Sequence, residues 1–471
     1  MAPPVAAAAT AELLEAVEGL IADAGARERR TLVSATVEIE AGDPSAFAFA
    51  SRLASDRWFC WEQPERDGFA LAGIGAAWDT ISRGEARFAD VERACAELAR
   101  ERVAVEPAGL PAGAGPVWTG GFAFAHDGGR APQWSSLPPA LAVLPELALC
   151  RVGDSSWLTL AAVVGGGGSP ERLATGLRQR VGSLRERPLP LLDPHPAGDV
   201  SIRSARPPHE FEHAVERATG MISGGPLEKV VLAREVVVEA GAAHDPAAVY
   251  GALRELFPSC FCFCVGTPEA AFLGASPELL VRRSGAVAAT AALAGSSRRS
   301  ADPAVDDHLG EQLLRSAKDR HEHEIVVRRI ERVLRPSSVW VETAPEPILV
   351  KVANIQHLAT PIHAQLSEPR SVLDLAGLLH PTPAVGGEPG DAAIAAIPDL
   401  ERMDRGWYAG PVGWMDTAED GELCVGLRSA LLRDRTAHLY AGGGIVAESD
   451  PAAELAETEV KLEALLPLLA G

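Results

Sequence analysis

Apolar residues recur at helical spacing across residues 11–26 (Leu13, Leu14, Val17, Leu20, Ile21), which predicts one amphipathic helix near the start of the chain. Strand-like runs follow at 31–39, 58–61 and 69–74. A helix is expected over 88–101, and a hairpin-rich stretch over 118–164. The four glycines at 165–168 predict a turn after a strand, because no Lys-Ser/Thr follows to make a phosphate loop. Residues 187–208, rich in proline and polar side chains, make the best candidate linker. They divide a motif-poor segment, 1–200, from a motif-rich one, 201–471. In the latter, 229–239 and 274–281 pattern as strands, the second entered through Pro277. One long helix is expected over 306–334. Asp450 is a good N-cap, with proline at N1, for another helix running to Leu469. No internal repeat or low-complexity tail is visible.

Composition narrows the function classes. An apolar fraction of 47% with 23% charged residues supplies a sizeable core, and 45 glycines and 36 prolines spread along the chain suit many turns between short elements. The net charge of -21 disfavours nucleic acid and anionic membrane as partners, so an anionic substrate needs a metal or a few focused basic residues. No apolar run approaches the roughly 20 residues of a membrane span. The alanine-rich start lacks a basic n-region, so a cytoplasmic protein is expected. Seven cysteines without a CxxC pair fit a reduced compartment. Cys260, Cys262 and Cys264, spaced by two, predict small hydrophobes on one sheet face rather than a metal site.

Several charged side chains sit where charge is unusual. Lys229 heads an apolar strand and shares a face with Val231 and Ala233. It is either an edge charge that reaches water or, if enclosed, a usable general base. Glu278 precedes three apolar residues and is expected to share a face with Leu280. It either caps locally or, if buried, donates a proton. Glu322 has Ile325 and Val326 at i+3 and i+4, so it sits at the edge of a core stripe and needs a partner. That partner is an ion pair with Lys318 or Arg329, or a metal. His321 and His323, two apart on a helix, cannot chelate together, and Ile325 breaks the HExxH pattern. Glu454, Glu457 and Lys461 form a polar stripe opposite Leu455, Leu462 and Leu466, either a solvated face or a seat for a hard cation. The triplet Gly442, Gly443 and Gly444 marks a turn or a close approach of backbone to a ligand.

Taken together, these segments resemble the chorismate-utilising enzymes (anthranilate synthase component I-like), and among them the isochorismate synthases. The resemblance rests on KVVLAR (229–234), GASPELL (274–280), LAGS (293–296), KDRHEHE (318–324), HLATP (357–361), HPTPAVGG (380–387), GPVGW (410–414), AGGGIV (441–446) and ETEVKLE (457–463). GGFAFAHDG (120–128) and FALAGIGAAW (69–78) extend it upstream, which makes the linker an internal loop of one large domain. The family implies an α+β fold, a large single domain with two layered antiparallel sheets and helices outside. It implies Mg²⁺ held by Glu322 and Glu457 with Glu454 in support, and chorismate as substrate. Arg428 and Lys461 would contact carboxylate oxygens, and Gly295, His357, Ala384, Val385, Tyr408 and Gly442 would shape the pocket. Lys229 would activate water for attack at C2, and Glu278 would protonate the departing C4 hydroxyl. Members that use ammonia, and salicylate synthases, tend to carry threonine where Ala384 stands. Lys229 with Ala384 therefore favours isochorismate as product, for menaquinone, siderophore or salicylate synthesis. A salicylate synthase or an anthranilate or aminodeoxychorismate synthase-type lyase is the alternative. A monomer without an obligate glutaminase subunit is expected. The chain departs from the family's frequent residues at Ala292, Ala317 and Leu455.

Overall fold

In the computed structural model, the described residues are 7–25, 29–40, 42–66, 68–165, 169–185, 187–193 and 198–471. Two large sheets dominate. The larger runs, from one edge to the other, through Ser201–Ser204, Lys229–Glu239, Thr436–Ile445, Ser429–Arg433, Ala271–Ser276, Phe261–Gly266, Trp58–Glu62, Ala70–Ile74, Leu147–Val152, Ser155–Val164, Thr31–Ile39 and Arg102–Val105. The smaller runs through Ser338–Thr343, Ile355–Leu366, Val287–Arg298, Leu279–Ser284, Gly421–Val425, Pro411–Asp416, Val117–Phe122, Ala140–Leu144 and Trp78–Ser82. Pairing is antiparallel apart from Thr31–Ile39 with Arg102–Val105. The fold is α+β, with two layered sheets and helices outside.

The alternation of side chains explains the layering. In Phe261–Gly266, Phe261, Phe263 and Val265 point into an apolar layer shared with Leu280, Val412 and Leu423 of the smaller sheet. Cys262 and Cys264 point the other way, with Cys260 just before the strand, and pack with Leu13, Val17, Tyr250 and Leu253 of the outer helices Ala7–Ala24 and Pro246–Leu256. The three thiols are thus free, buried and on one face, as their spacing requires. Both sheets draw strands from both sides of residue 200. Trp58–Glu62 pairs with Phe261–Gly266, and Val117–Phe122 with Pro411–Asp416.

Several expected elements are divided differently. The stretch 274–281 is not one strand: Ala271–Ser276 lies in the larger sheet and Leu279–Ser284 in the smaller, so Pro277 and Glu278 form the crossing. Proline cannot donate to a ladder, and Ser276 Oγ takes over by accepting from Glu278 N–H at 3.2 Å and donating to the Val425 carbonyl. Glu278 therefore shares no strand face with Leu280. The helix expected over 306–334 is two, Pro303–Arg315 and Ala317–Leu334, because Ser316 adopts ψ 117° and caps the second by accepting from Asp319 N–H. The C-terminal helix ends at Leu462 and a short one, Leu466–Ala470, follows. Within the candidate linker, Ser201–Ser204 is an edge strand and helix Pro208–Ser223 begins at its end, while 194–197 lie outside the described residues. Of the glycine run, 166–168 also lie outside them. No helix among the described residues is long and apolar enough to cross a membrane.

Candidate active site

Lys229 begins its strand at the junction of three backbones. It pairs with Glu388 on one edge, and Val230 pairs with Ile445 on the other. Its side chain is fully buried, which settles the sequence alternative in favour of an enclosed lysine. Nζ lies 2.9 Å from Glu322 Oε1, so the partner of Glu322 is neither Lys318 nor Arg329. The distance makes this a charge pair, yet the angles do not make a hydrogen bond, and Nζ remains a buried donor without an acceptor. The glycine triplet is not a turn but part of the strand Thr436–Ile445. A Cβ on Gly444 would stand 2.1 Å from Glu322 Oε1 and 2.9 Å from Lys229 Cε, so only glycine leaves room for the pair.

Glu278, at the crossing between the sheets, is 4% exposed. Burial pushes its carboxyl up to about 8, against the opposing pull of nearby Lys229 and a hydrogen bond from Thr382.

Glu457 behaves oppositely. Burial alone would raise it, but the Lys461 charge and hydrogen bonds from Lys461 and Ser296 hold it at about 2. Ser296 Oγ donates to Glu457 Oε1 at 2.7 Å, and Lys461 Nζ is 2.6 Å away. Lys461 also donates to the Gly442 carbonyl at 2.7 Å. Glu454 is buried behind, paired with Lys318 at 2.8 Å, and burial and the neighbouring Glu457 raise its carboxyl above the usual range. It does not line the cleft.

Arg428 adopts a left-handed φ of 46°, and its guanidinium donates to His357 Nε2 at 3.1 Å. A guanidinium only donates, so Nε2 is the unprotonated nitrogen, and Nδ1–H faces the Gly295 carbonyl at 3.3 Å. Burial, with the charges of Arg428 and Lys461, pushes His357 down to about 3 and keeps it neutral. Gly295 occupies a bulge at φ 75°, between Ala294 and Ser296, which turns its carbonyl toward His357. Tyr408 is buried and stacked on Tyr440, ring centroids 5.2 Å apart, and Ala384 N–H donates to Thr382 Oγ1 at 3.3 Å.

One cleft thus gathers Glu278, Gly295, Glu322, His357, Ala384, Val385, Tyr408, Arg428, Gly442, Glu457 and Lys461, with Lys229 directly behind Glu322. A larger cavity of about 360 Å³ lies behind Leu232 and Ala233 and contains none of these groups, so the chemistry points to the smaller cleft. Sequence reasoning missed Asp319, Ser296 and Thr382. Asp319 is half-buried, raised first by burial and then by the charges of Glu322 and Glu457. Its i, i+3 spacing to Glu322 was the available signal. Among the described residues, no three His, Cys, Asp or Glu side chains stand together in metal-holding geometry. The three acidic residues instead each face a lysine.

Comparison with known proteins fits this geometry. The family described as chorismate binding enzyme matches residues 19–470, and the chain belongs to it. Within that class it is similar to isochorismate synthases. It is 33% identical over 445 residues to isochorismate synthase MenF of Bacillus subtilis, covering 93% of this chain and 94% of that protein. It is 37% identical over 454 residues to the salicylate biosynthesis isochorismate synthase of Pseudomonas aeruginosa, covering 96% and 93%. The solved menaquinone-specific isochorismate synthase MenF of Escherichia coli superposes with a TM-score of 0.78 at 28% identity, over 97% of this chain and 99% of that one. Anthranilate synthase component I of Streptococcus pneumoniae shares the fold, with a TM-score of 0.60 at 21% identity over 88% and 92%.

Proposed function

We propose that this enzyme isomerises chorismate to isochorismate, adding water at C2 and losing the C4 hydroxyl. The observation that carries this reading is one cleft that holds Glu278, buried and raised above the usual carboxyl range, together with Glu322 and Glu457, with the buried Lys229 against Glu322. Lys229 is the base that takes a proton from the attacking water. Glu278 gives its proton to the departing hydroxyl, so one water enters and one leaves. Arg428 and Lys461 hold substrate carboxylates, and His357 keeps Arg428 aimed by accepting one of its N–H groups. Ala384, in place of a threonine hydroxyl, leaves no polar group there to favour ammonia.

Glu322 and Glu457 would hold a hard divalent cation, because two carboxylates from different helices line one cleft and oxygen ligands suit such an ion. Glu454 supports Glu457 from behind. When bound, Mg²⁺ supplies the positive charge that lets an acidic protein accept a dianion. We read the chain as active alone, without a glutaminase subunit. The test is purified protein with chorismate and Mg²⁺ and no ammonia, with products separated and identified. Isochorismate supports the reading; no conversion, conversion only with ammonia, or pyruvate release overturns it.

A further inference from the structure

On the edge facing away from Thr436–Ile445, the strand Lys229–Glu239 has a gap. It pairs with Gly387–Glu388 at Lys229 and Val230, and with Ser201–Ser204 only from Val236 onward. Between these, Val231 N–H reaches the Gly386 carbonyl at 2.8 Å, and Ala205 N–H reaches the Glu235 carbonyl at 2.9 Å. The other two bonds in the gap come from side chains. Arg405 donates to the Val231 carbonyl at 2.9 Å, and Glu401 accepts from Ala233 N–H at 2.7 Å.

Arg405 and Glu401 are themselves an ion pair, with side chains only 2% and 1% exposed. Arg405 Nε donates to Glu401 Oε2 at 3.0 Å, and a second N–H goes to Oε1. A further N–H donates to the Val385 carbonyl at 2.8 Å, and the guanidinium lies 4.1 Å from the Phe124 ring centroid. One planar fork therefore fixes a carboxylate and two carbonyls in set directions, which an ammonium cannot reproduce. The pair also divides two spaces. Arg405, Val231 and Val385 line the active-site cleft, whereas Glu401 and Ala233 line the cavity of about 360 Å³ behind it.

We propose that Arg405 and Glu401 are positioning residues for the isomerisation. They hold the lysine-bearing strand and the Val385 carbonyl in one register, and they close the cleft against the cavity behind. The proposal rests on the reaction assigned above. Lys229 stands two residues before Val231 on the same strand face, so slack in the gap moves the base relative to substrate held by Arg428 and Lys461.

Removing one partner leaves a buried charge unpaired and can unfold the chain, so the decisive variant removes both: Arg405→Met with Glu401→Leu, similar in volume and uncharged. With Mg²⁺ and chorismate, we expect kcat to fall by about tenfold or more while KM changes less than about threefold, because the carboxylate-binding residues are untouched. Arg405→Lys should recover little of the loss. Millimolar guanidinium, entering from the rear cavity, should restore part of the kcat of Arg405→Ala. Amide exchange across residues 229–235 should accelerate about tenfold in the double variant. A folded double variant with wild-type kcat overturns the proposal, as does loss confined to KM or unchanged exchange. Should wild-type protein fail to convert chorismate, the reaction is misassigned, and amide exchange still decides whether the pair holds the strand.

Discussion

Lys229 and Glu322 meet at 2.9 Å, one at the first residue of a strand in the larger sheet, the other on a helix packed against the smaller. The proposed base and a metal-ligand candidate are thus in direct contact. Lys229 is cut off from water entirely, while Glu322 keeps a small exposure toward the cleft. Lys229→Ala should lower turnover by about 10²–10⁴-fold, the scale of a lost general base, and leave Mg²⁺-dependent chorismate binding within a few-fold of wild type. Calorimetry and turnover on the same preparation check this, and lost binding would place Lys229 in a structural role.

Glu322→Ala should instead abolish metal-dependent chorismate binding. Titration of Mg²⁺ in the presence of chorismate reads the effect directly. Unchanged metal affinity contradicts the ligand assignment.

Gly444→Ala places a methyl 2.1 Å from the Glu322 carboxylate and 2.9 Å from Lys229 Cε, so both side chains must shift. Turnover should drop at least about tenfold together with Mg²⁺ affinity, as expected for groups displaced by about an ångström. Gly19 has open space around it, and Gly19→Ala serves as the control that should change neither. Equal behaviour of the two variants would contradict this account of the triplet.

The raised Glu278 carboxyl gives a pH signature. Its folded value of about 8 lies above the ordinary 4.5, so the folded state prefers the protonated form. Below 4.5 both folded and unfolded chains carry the proton and nothing is lost. Between 4.5 and 8 the unfolded chain ionises first, and stability falls by at most about 1.4 kcal/mol per pH unit. Activity, which needs the acid form, should decline as pH rises through about 8. Glu278→Gln should abolish turnover and flatten the stability decline in that window. An unchanged pH–stability slope in the variant removes Glu278 as its cause.

Glu457 is held ionised at about 2 chiefly by Lys461 and Ser296 against the effect of burial. In wild type, metal binding should therefore show no dependence on this group above pH 4 or so. Lys461→Met with Ser296→Ala should raise the carboxyl and make Mg²⁺ affinity fall between pH 7 and 5. A flat profile in the double variant would argue that other groups keep Glu457 charged.

The site was more legible than the elements that carry it. The residues that the family resemblance placed at the pocket line the cleft, except Glu454 and the enclosed Lys229, which stand just behind it. Spacing alone left Lys229, Glu278 and Glu322 open, because burial is a tertiary property and all three are buried by segments distant in sequence. The partner of Glu322 was beyond local reasoning, since Lys229 is 93 positions away while Lys318 sits one turn off on the same helix. Strand 274–281 was misjudged for a related reason. Period-two patterning cannot tell a continuous strand from one that changes sheets at a proline, because both faces stay buried. Ser316, a polar residue in a helical pattern, was an available sign of the helix break.

The interleaving of the sheets bears on how the chain is made. Trp58–Glu62 and its partner Phe261–Gly266 are separated by roughly 200 residues, which at about 5–20 residues per second is on the order of 10–40 s of synthesis. During that interval a strand carrying Trp58, Phe59 and Trp61 lacks its partner on one edge. The stretch of synthesis before Gly266 emerges is therefore when this strand edge is open to other chains.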